Sequence, residues 1–210
     1  MPVPFEVEGQ GIPAYSLEAS PASVLRHGLQ VLFPERAPDL VVSGINYGEN
    51  VGTSITASGT VGAAYEAASW GIPALAAALQ THPDHFFHHG EVAWGAAEHF
   101  VRHFVRRLRA IRLPPDVDVL KLDVPEDATP DTPWRLTRLA RQRYFMLNLE
   151  APHLGSRLGD ARIGIEVDHD TLEAETDVHA LAVERCVAVT PLSLDATSRT
   201  PFGDLRDRLT

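Results

Sequence analysis

The sequence has few of the residues on which several classes of protein depend. Cysteine occurs once, at Cys186, inside an apolar run typical of a buried strand, so we expect a structural thiol and no disulfide framework. Lysine also occurs once, at Lys121, and the formal charge of −10 argues against a nucleic-acid surface, which needs clustered cations. The absence of an export leader and of an apolar run of about 18 residues predicts a cytoplasmic protein without a membrane span.

The chain has the length of one globular domain. Its 210 residues, 44% of them hydrophobic, are enough to enclose one core. Short apolar runs alternate with amphipathic segments as far as Pro125, which predicts an α/β fold: a Rossmann-like, mostly parallel sheet with helices on both faces. Short strands among proline-rich turns follow. We therefore divide the chain into a core, residues 1–125, and a smaller β-rich extension, residues 126–210.

Caps and periodicity locate the predicted elements. Ser20 and Pro21 are typical of a helix start, and Gly71 with Pro73 of a helix end. The predicted helices span residues 21–33, 59–70, 91–111 and 178–183. The predicted strands span residues 39–43, 74–79, 117–124, 135–139, 144–149 and 163–167, with a last strand at Cys186.

The segment from Pro38 to Pro73 is the most informative part of the sequence. A short apolar strand leads into a loop with Gly44 and Gly48, which let the backbone turn and approach a ligand closely. The next helix begins after Ser58, a good N-cap residue, and the free N–H groups of a helix N-terminus attract phosphate. This order of strand, loop and helix predicts an anion site at the carboxyl end of a parallel strand.

The same segment resembles the SurE (survival protein E) family of metal-dependent nucleotide phosphatases, and the resemblance extends over nearly the whole chain. The sequence departs from the family pattern at Ala57, where tyrosine is usual, and at Thr53 with Ser54, where an acidic residue is usual. The matching stretches are SGIN at 43–46, GENVG at 48–52, SGTVGAA at 58–64, GIPA at 71–74, and LKLDVP at 120–125 in place of LNVNVP.

The resemblance implies a reaction and a site. A divalent cation, Mg²⁺ or Mn²⁺, is implied to polarise the phosphoryl group of a nucleoside monophosphate, with Asn46 as one metal ligand. Asn50, Ser58, Gly59 and Thr60 are implied to bind the phosphate. The family resemblance further implies a homo-dimer or homo-tetramer assembled through elements of residues 126–210.

The aspartates that hold the metal in this family are not found. SurE proteins begin with a strand that ends in a TNDDG motif, whereas this sequence has no aspartate before Asp39. Compared with the family pattern, we therefore expect the start to be truncated, either because the reading frame begins upstream of Met1 or because the gene has lost that segment. We expect an impaired 5'/3'-nucleotidase. The alternatives are a non-catalytic nucleotide- or anion-binding protein and a structural subunit.

Three other groups of residues allow both a functional and a structural interpretation. Glu6 and Glu8 point to one side of an extended segment, but a solvated strand face is simpler than a pair of substitute metal ligands. The histidines at 82, 85, 88 and 89 have the spacing of helical metal ligands, without the glutamate of a zincin. The segment Arg141–Tyr144 suits a nucleotide base or phosphate as well as a charged strand surface.

Overall fold

The computed structural model describes residues 2–85 and 90–210. Its helices are α1 (Pro21–Leu32), α2 (Gly59–Ser69), α3 (Gly95–Ala110), α4 (Asp177–Ala182) and α5 (Phe202–Leu209), with 3₁₀ turns at Gly52–Ala57, Pro83–His85 and Leu158–Asp160. Its strands are β1 (Pro2–Val3), β2 (Glu6–Val7), β3 (Gln10–Gly11), β4 (Ala14–Tyr15), β5 (Val41–Tyr47), β6 (Ala74–Leu79), β7 (Val119–Val124), β8 (Trp134–Leu136), β9 (Phe145–Asn148), β10 (Arg162–Ile165) and β11 (Val187–Leu192).

Five of the strands form one sheet, in the order β5, β6, β7, β11, β8. The first three are parallel, with Val42 opposite Leu75 and Ala76 opposite Lys121. Strand β11 lies antiparallel to β7 and parallel to β8. The predicted α/β fold with a mostly parallel sheet is confirmed. Residues 126–210 also supply the last two strands of this sheet, besides a separate antiparallel pair, β9 with β10.

Side chains alternate between the two faces of the sheet, and each face has its own helices. The layer between the sheet and α3 contains large apolar residues, Leu75, Leu79 and Leu122 from the strands with Phe100 and Phe104 from α3. The layer between the sheet and the helices α1 and α2 contains mainly small ones, Ala74 and Ala76 from β6 with Val61, Ala64 and Ala67 from α2. The prediction of helices on both faces is therefore confirmed.

Strand β5 is longer than the sequence predicts, since it continues past residue 43 to Tyr47. Pairing with β6 resumes after an irregularity, with Asn46 opposite Ala78. The irregularity requires a glycine, because Gly44 has a φ of +118° and a Cβ there would lie 2.2 Å from the carbonyl oxygen of Ala77. Helix α3, by contrast, begins at Gly95 rather than at residue 91, and its N-cap residue is Trp94.

The single cysteine is structural, as the sequence predicts. Cys186 is 5% exposed and directly precedes β11. Burial, together with its contact to the Glu184 carboxylate, raises the pKa of its thiol to about 11. A thiol with such a pKa is a poor nucleophile at neutral pH.

The two ends of the chain lie at the periphery. Residues 2–15 form two small sheets, β1 with β4 and β2 with β3, whose side chains are almost all exposed. Helix α5 buries none of its residues. Within the described ranges, none of the helices is both long and apolar enough to cross a bilayer.

Strand β5 is the outer strand of the sheet and is paired on one side, with β6. Its Val42 is 40% exposed. Beside it lies a groove of about 530 Å³ whose lining is mostly apolar and includes Leu25, Leu32, Phe33, Leu40 and Val41. An open strand edge next to exposed apolar side chains favours association with other chains.

We predict that the purified chain self-associates through the edge of β5, and that Val42→Lys reduces this association because a lysine on an edge strand opposes strand pairing. Light scattering coupled to size exclusion, over a range of protein concentrations, measures the effect. Val183→Lys is the control, since Val183 is similarly exposed, at 45%, but lies at the end of α4. A parent protein that stays monomeric at every concentration would contradict the prediction.

Candidate functional site

The loop that follows β5 crosses the carboxyl ends of the neighbouring strands. The N–H of Gly48 donates to the carbonyl oxygen of Leu79, the last residue of β6, at 2.9 Å. The N–H of Asn50 donates to Oδ1 of Asp123 in β7, at 2.7 Å. The loop is therefore fixed at the edge where open α/β sheets bind their ligands.

The four residues implied to bind phosphate form one group, which we name the anion cradle: Asn50, Ser58, Gly59 and Thr60. The Ser58 hydroxyl donates to Oδ1 of Asn50 at 2.6 Å and accepts the N–H of Val61 at 3.1 Å, so that Ser58 is the N-cap of α2. The first turn of a helix leaves its leading N–H groups without partners inside the helix, and here these belong to Gly59 and Thr60. The cradle thus combines two backbone donors with the side-chain amide of Asn50.

Asn46, the implied metal ligand, lies near the end of β5. Its Nδ2 donates to the carbonyl oxygen of Gly48 at 2.6 Å. The other atom of the amide, Oδ1, is the one that could bind a cation. Mg²⁺ and Mn²⁺ are held by several oxygen ligands, carboxylates above all. The described part of the chain contains no group of three or more His, Cys, Asp or Glu side chains able to hold a metal. The residues present therefore do not fit a complete divalent-cation site.

Three charged side chains are completely buried beneath the loop, and we name them the buried charge cluster: Lys121, Asp123 and Asp177. The Lys121 ammonium donates to Asp123 and, at 3.1 Å, to Oδ2 of Asp177. Burial by itself would lower the pKa of Lys121, but the two carboxylates outweigh burial and raise that pKa above its usual value. Lys121 is therefore a cation at physiological pH.

A fourth buried ionisable side chain belongs to the loop itself. Glu49 is 3% exposed, and its Oε2 accepts the N–H of Thr81 at 3.4 Å. Its Oε1 has no hydrogen-bond partner among the described residues. Burial is the main cause that raises the pKa of Glu49 to about 7. The neighbouring Tyr144 is also buried, and burial with the nearby Glu49 raises the pKa of its phenol.

Comparison with known proteins identifies the family. A family model described as "Survival protein SurE" matches residues 2–146. A "5'-nucleotidase SurE" from Methanothrix thermoacetophila is 38% identical in an alignment 210 residues long. The alignment covers 97% of this chain and 78% of that protein. The chain belongs to the SurE family. A 5'-nucleotidase SurE from Thermococcus gammatolerans is 40% identical over 178 residues, covering 81% of this chain and 64% of that one.

The fold also matches a solved SurE structure. The crystal structure of the SurE protein from Aquifex aeolicus superposes with a TM-score of 0.69 at 26% sequence identity. The superposition covers 92% of this chain and 74% of the Aquifex chain. The central sheet described above is therefore the SurE sheet, and the two small sheets at residues 2–15 lie at its periphery.

The other sequence candidates lie outside this group. Glu6 and Glu8 are exposed in the peripheral small sheets. The rings of His82 and His85 are 6.2 Å apart, whereas the histidines at 88 and 89 are outside the described residues. The residues of the segment Arg141–Tyr144 differ in exposure. Both arginines are exposed, whereas Tyr144 is 1% exposed and has no free ring face for a nucleotide base.

Sequence reasoning missed the buried Glu49, and it missed the connection of Lys121 and Asp123 to Asp177. One signal was present, because a lone lysine two residues from an aspartate within an apolar strand places two charges on one face of that strand. The partner of Lys121 across the fold is 56 residues away in the sequence, and no local pattern identifies it.

We predict that the contribution of Glu49 to stability falls as pH rises from about 4.5 to about 7, because the pKa of Glu49 is higher in the folded state than in the unfolded one. Below this window Glu49 is protonated in both states and its burial carries no ionisation cost. Above the window the cost levels off at about 3 kcal/mol, which is the shift in pKa expressed as free energy.

Urea unfolding at a series of pH values measures this dependence, and Glu49→Gln should remove the part that Glu49 causes. The variant should also be more stable than the parent above pH 7. Glu150→Gln, at an exposed position, serves as the control. Parallel pH profiles for the parent and Glu49→Gln would show that Glu49 ionises as it does in the unfolded chain.

Proposed function

We propose that this SurE-family chain is a phosphohydrolase of nucleoside monophosphates, a 5'/3'-nucleotidase in which water displaces the nucleoside from the phosphate. The observation that carries the proposal is the anion cradle: the N–H groups of Gly59 and Thr60, which have no acceptor inside α2, beside the amide of Asn50 at the carboxyl edge of the sheet. The names of the relatives, 5'-nucleotidase SurE, support it.

In this proposal the residues of the anion cradle have separate tasks. The N–H groups of Gly59 and Thr60 donate to the phosphate oxygens, and the positive end of the α2 dipole favours the negative charge. Ser58 is held by Asn50 and caps the helix, so it keeps the first turn in place and its N–H groups aligned. The Nδ2 group of Asn50, on the same amide as the oxygen bonded to Ser58, adds a third donor.

The reaction implied by the family depends on Mg²⁺ or Mn²⁺, which would supply charge stabilisation at the phosphoryl group. Asn46 is the ligand that this chain offers, through Oδ1. One neutral oxygen cannot hold such a cation without carboxylates. We therefore assign substrate binding to the described residues and propose that hydrolysis by this chain is impaired.

A non-catalytic nucleotide- or anion-binding protein is the second candidate. The observation that favours it is the contrast between an anion cradle with its donors in place and the lack, among the described residues, of a group of side chains that could hold a metal. We further propose that the chain forms a homo-dimer or homo-tetramer, using exposed apolar elements of residues 126–210 such as α5, where Phe202 is 71% exposed.

We predict that the purified chain, residues 1–210, releases phosphate from nucleoside monophosphates slowly or not at all, even with Mn²⁺, because residues 2–85 and 90–210 contain no group of carboxylates and histidines that could hold the ion. Phosphate release measured with and without Mn²⁺ tests this. Strong Mn²⁺-dependent turnover that is abolished by Asn46→Ala, but not by Asn148→Ala at an exposed position of β9, would show that other ligands complete the site.

We predict that inorganic phosphate binds at the start of α2 and raises the melting temperature, since a ligand that binds the folded state stabilises it. Thr60→Pro should weaken phosphate binding roughly tenfold, because proline removes one N–H donor to a charged ligand. Thr60→Ala is the matched control, because it keeps the N–H.

Calorimetric titration with phosphate, against chloride at equal ionic strength, provides the dissociation constants. Equal constants for the parent and Thr60→Pro would place the bound phosphate elsewhere. A similar loss in Thr60→Ala would assign the binding energy to the hydroxyl group.

A further inference from the structure

The buried charge cluster is connected to the anion cradle through the backbone of the loop. Asp123 uses one oxygen for Lys121 and the other, Oδ1, for the N–H of Asn50 at 2.7 Å. Asp177 Oδ2 accepts both the Lys121 ammonium and, at 3.0 Å, the N–H of Gly52. The two carboxylates thus hold the loop on both sides of Val51, which is itself fully buried.

The second oxygen of Asp177 extends the same arrangement to the chain segment that follows β8. Oδ1 accepts the N–H groups of Ala140 and Val178, both at 2.9 Å. Asp177 therefore has an N–H or ammonium donor at each oxygen, and Asp123 does as well. One ammonium and four N–H dipoles compensate two buried carboxylates.

Such a cluster is an expensive way to stabilise a fold. Desolvating three charges costs several kcal/mol for each ion, and well-packed apolar side chains of similar volume often serve stability as well or better. What apolar side chains cannot do is accept the N–H groups of Asn50 and Gly52. A specific position of the loop is therefore what the charges contribute beyond packing.

The cluster also has an electrostatic consequence for the cradle. Two uncompensated carboxylates under the loop would repel an anion bound above it, because the attraction and repulsion of charges are strong where water is excluded. Lys121 cancels one of these charges from a position that is 1% exposed. Its ammonium hydrogen-bonds to the two carboxylates, so it reduces the negative potential that they create at the cradle.

We propose that Lys121, Asp123 and Asp177 are positioning residues that hold residues 50–52 in the geometry in which Asn50, Ser58 and the N-terminus of α2 receive a phosphate. The inference rests on the proposed function for its ligand. The inference also predicts the conformation of residues 50–52 without ligand, which can be tested independently of phosphate binding.

The most informative variant is Asp123→Leu, because leucine offers no acceptor to the Asn50 N–H, whereas the Lys121 ammonium keeps Asp177 as an acceptor. Lys121→Met/Asp123→Leu removes one positive and one negative charge together, so it keeps the net charge while it removes both the acceptor of Asn50 and the cluster's bridge. It provides a second, charge-balanced variant where the single change unfolds the protein.

Arg135→Met is the control, because Arg135 forms an ion pair with Glu184 at 2.6 Å that has no contact with the loop. All variants are first compared by urea unfolding, so that the later measurements use conditions in which each is folded. Two readouts follow on the full chain: hydrogen exchange of the backbone amides of residues 48–54 without ligand, and the dissociation constant for inorganic phosphate.

We expect the amide of Asn50 to lose protection in Asp123→Leu and in the double variant but not in Arg135→Met, and the phosphate dissociation constant to rise roughly tenfold in the charge-balanced double variant. Unchanged protection of residues 48–54 in folded variants would overturn the proposal. So would a phosphate constant unchanged from the parent, since the cluster would then serve stability alone. A parent that binds no phosphate would refute the proposed function, and the exchange result would still decide whether the cluster positions the loop.

Discussion

The contact between small residues of β6 and α2 is the constraint on which the rest of the structure depends. Strand β6 is fully buried, and its alanines on one face pack against the alanines of α2. Small side chains allow the helix to lie close to the sheet, and the helix begins where the loop from β5 ends. The N-terminus of α2 is thereby held at the carboxyl edge of the sheet, which is the edge where open α/β sheets bind their ligands.

That position creates an electrostatic problem which the interior resolves. A loop that crosses the sheet edge has N–H groups that face inward, and each buried one needs an acceptor. Asp123 and Asp177 provide acceptors for Asn50 and Gly52, and Lys121 compensates their charge. Glu49 is the exception, because one of its oxygens has no partner among the described residues, and its raised pKa follows from that burial.

Local signals predicted most of this fold. The cap at Ser58 and the stop at Gly71 predicted a helix over 59–70, and the structure has it at Gly59–Ser69; strand β6 is found where it was predicted. The order of the last strands was not predictable, since three-residue β8 joins the sheet through β11, which lies some fifty residues further along the chain. The anion cradle was predicted by residue type, but the bond between Asn50 and Ser58 and the cluster beneath it depend on long-range packing.

Asn46 and the open edge of β5 are neighbouring features of one geometry. Asn46 belongs to β5 and lies near its carboxyl end. Donors carried at the end of a further parallel strand beside β5 would reach the same edge, because the carboxyl ends of parallel strands share it. Within the described residues that side of β5 has no strand partner. Asn46 therefore lies beside the unpaired edge of the sheet, whereas Asn50 of the anion cradle is held from the interior by Asp123 of β7.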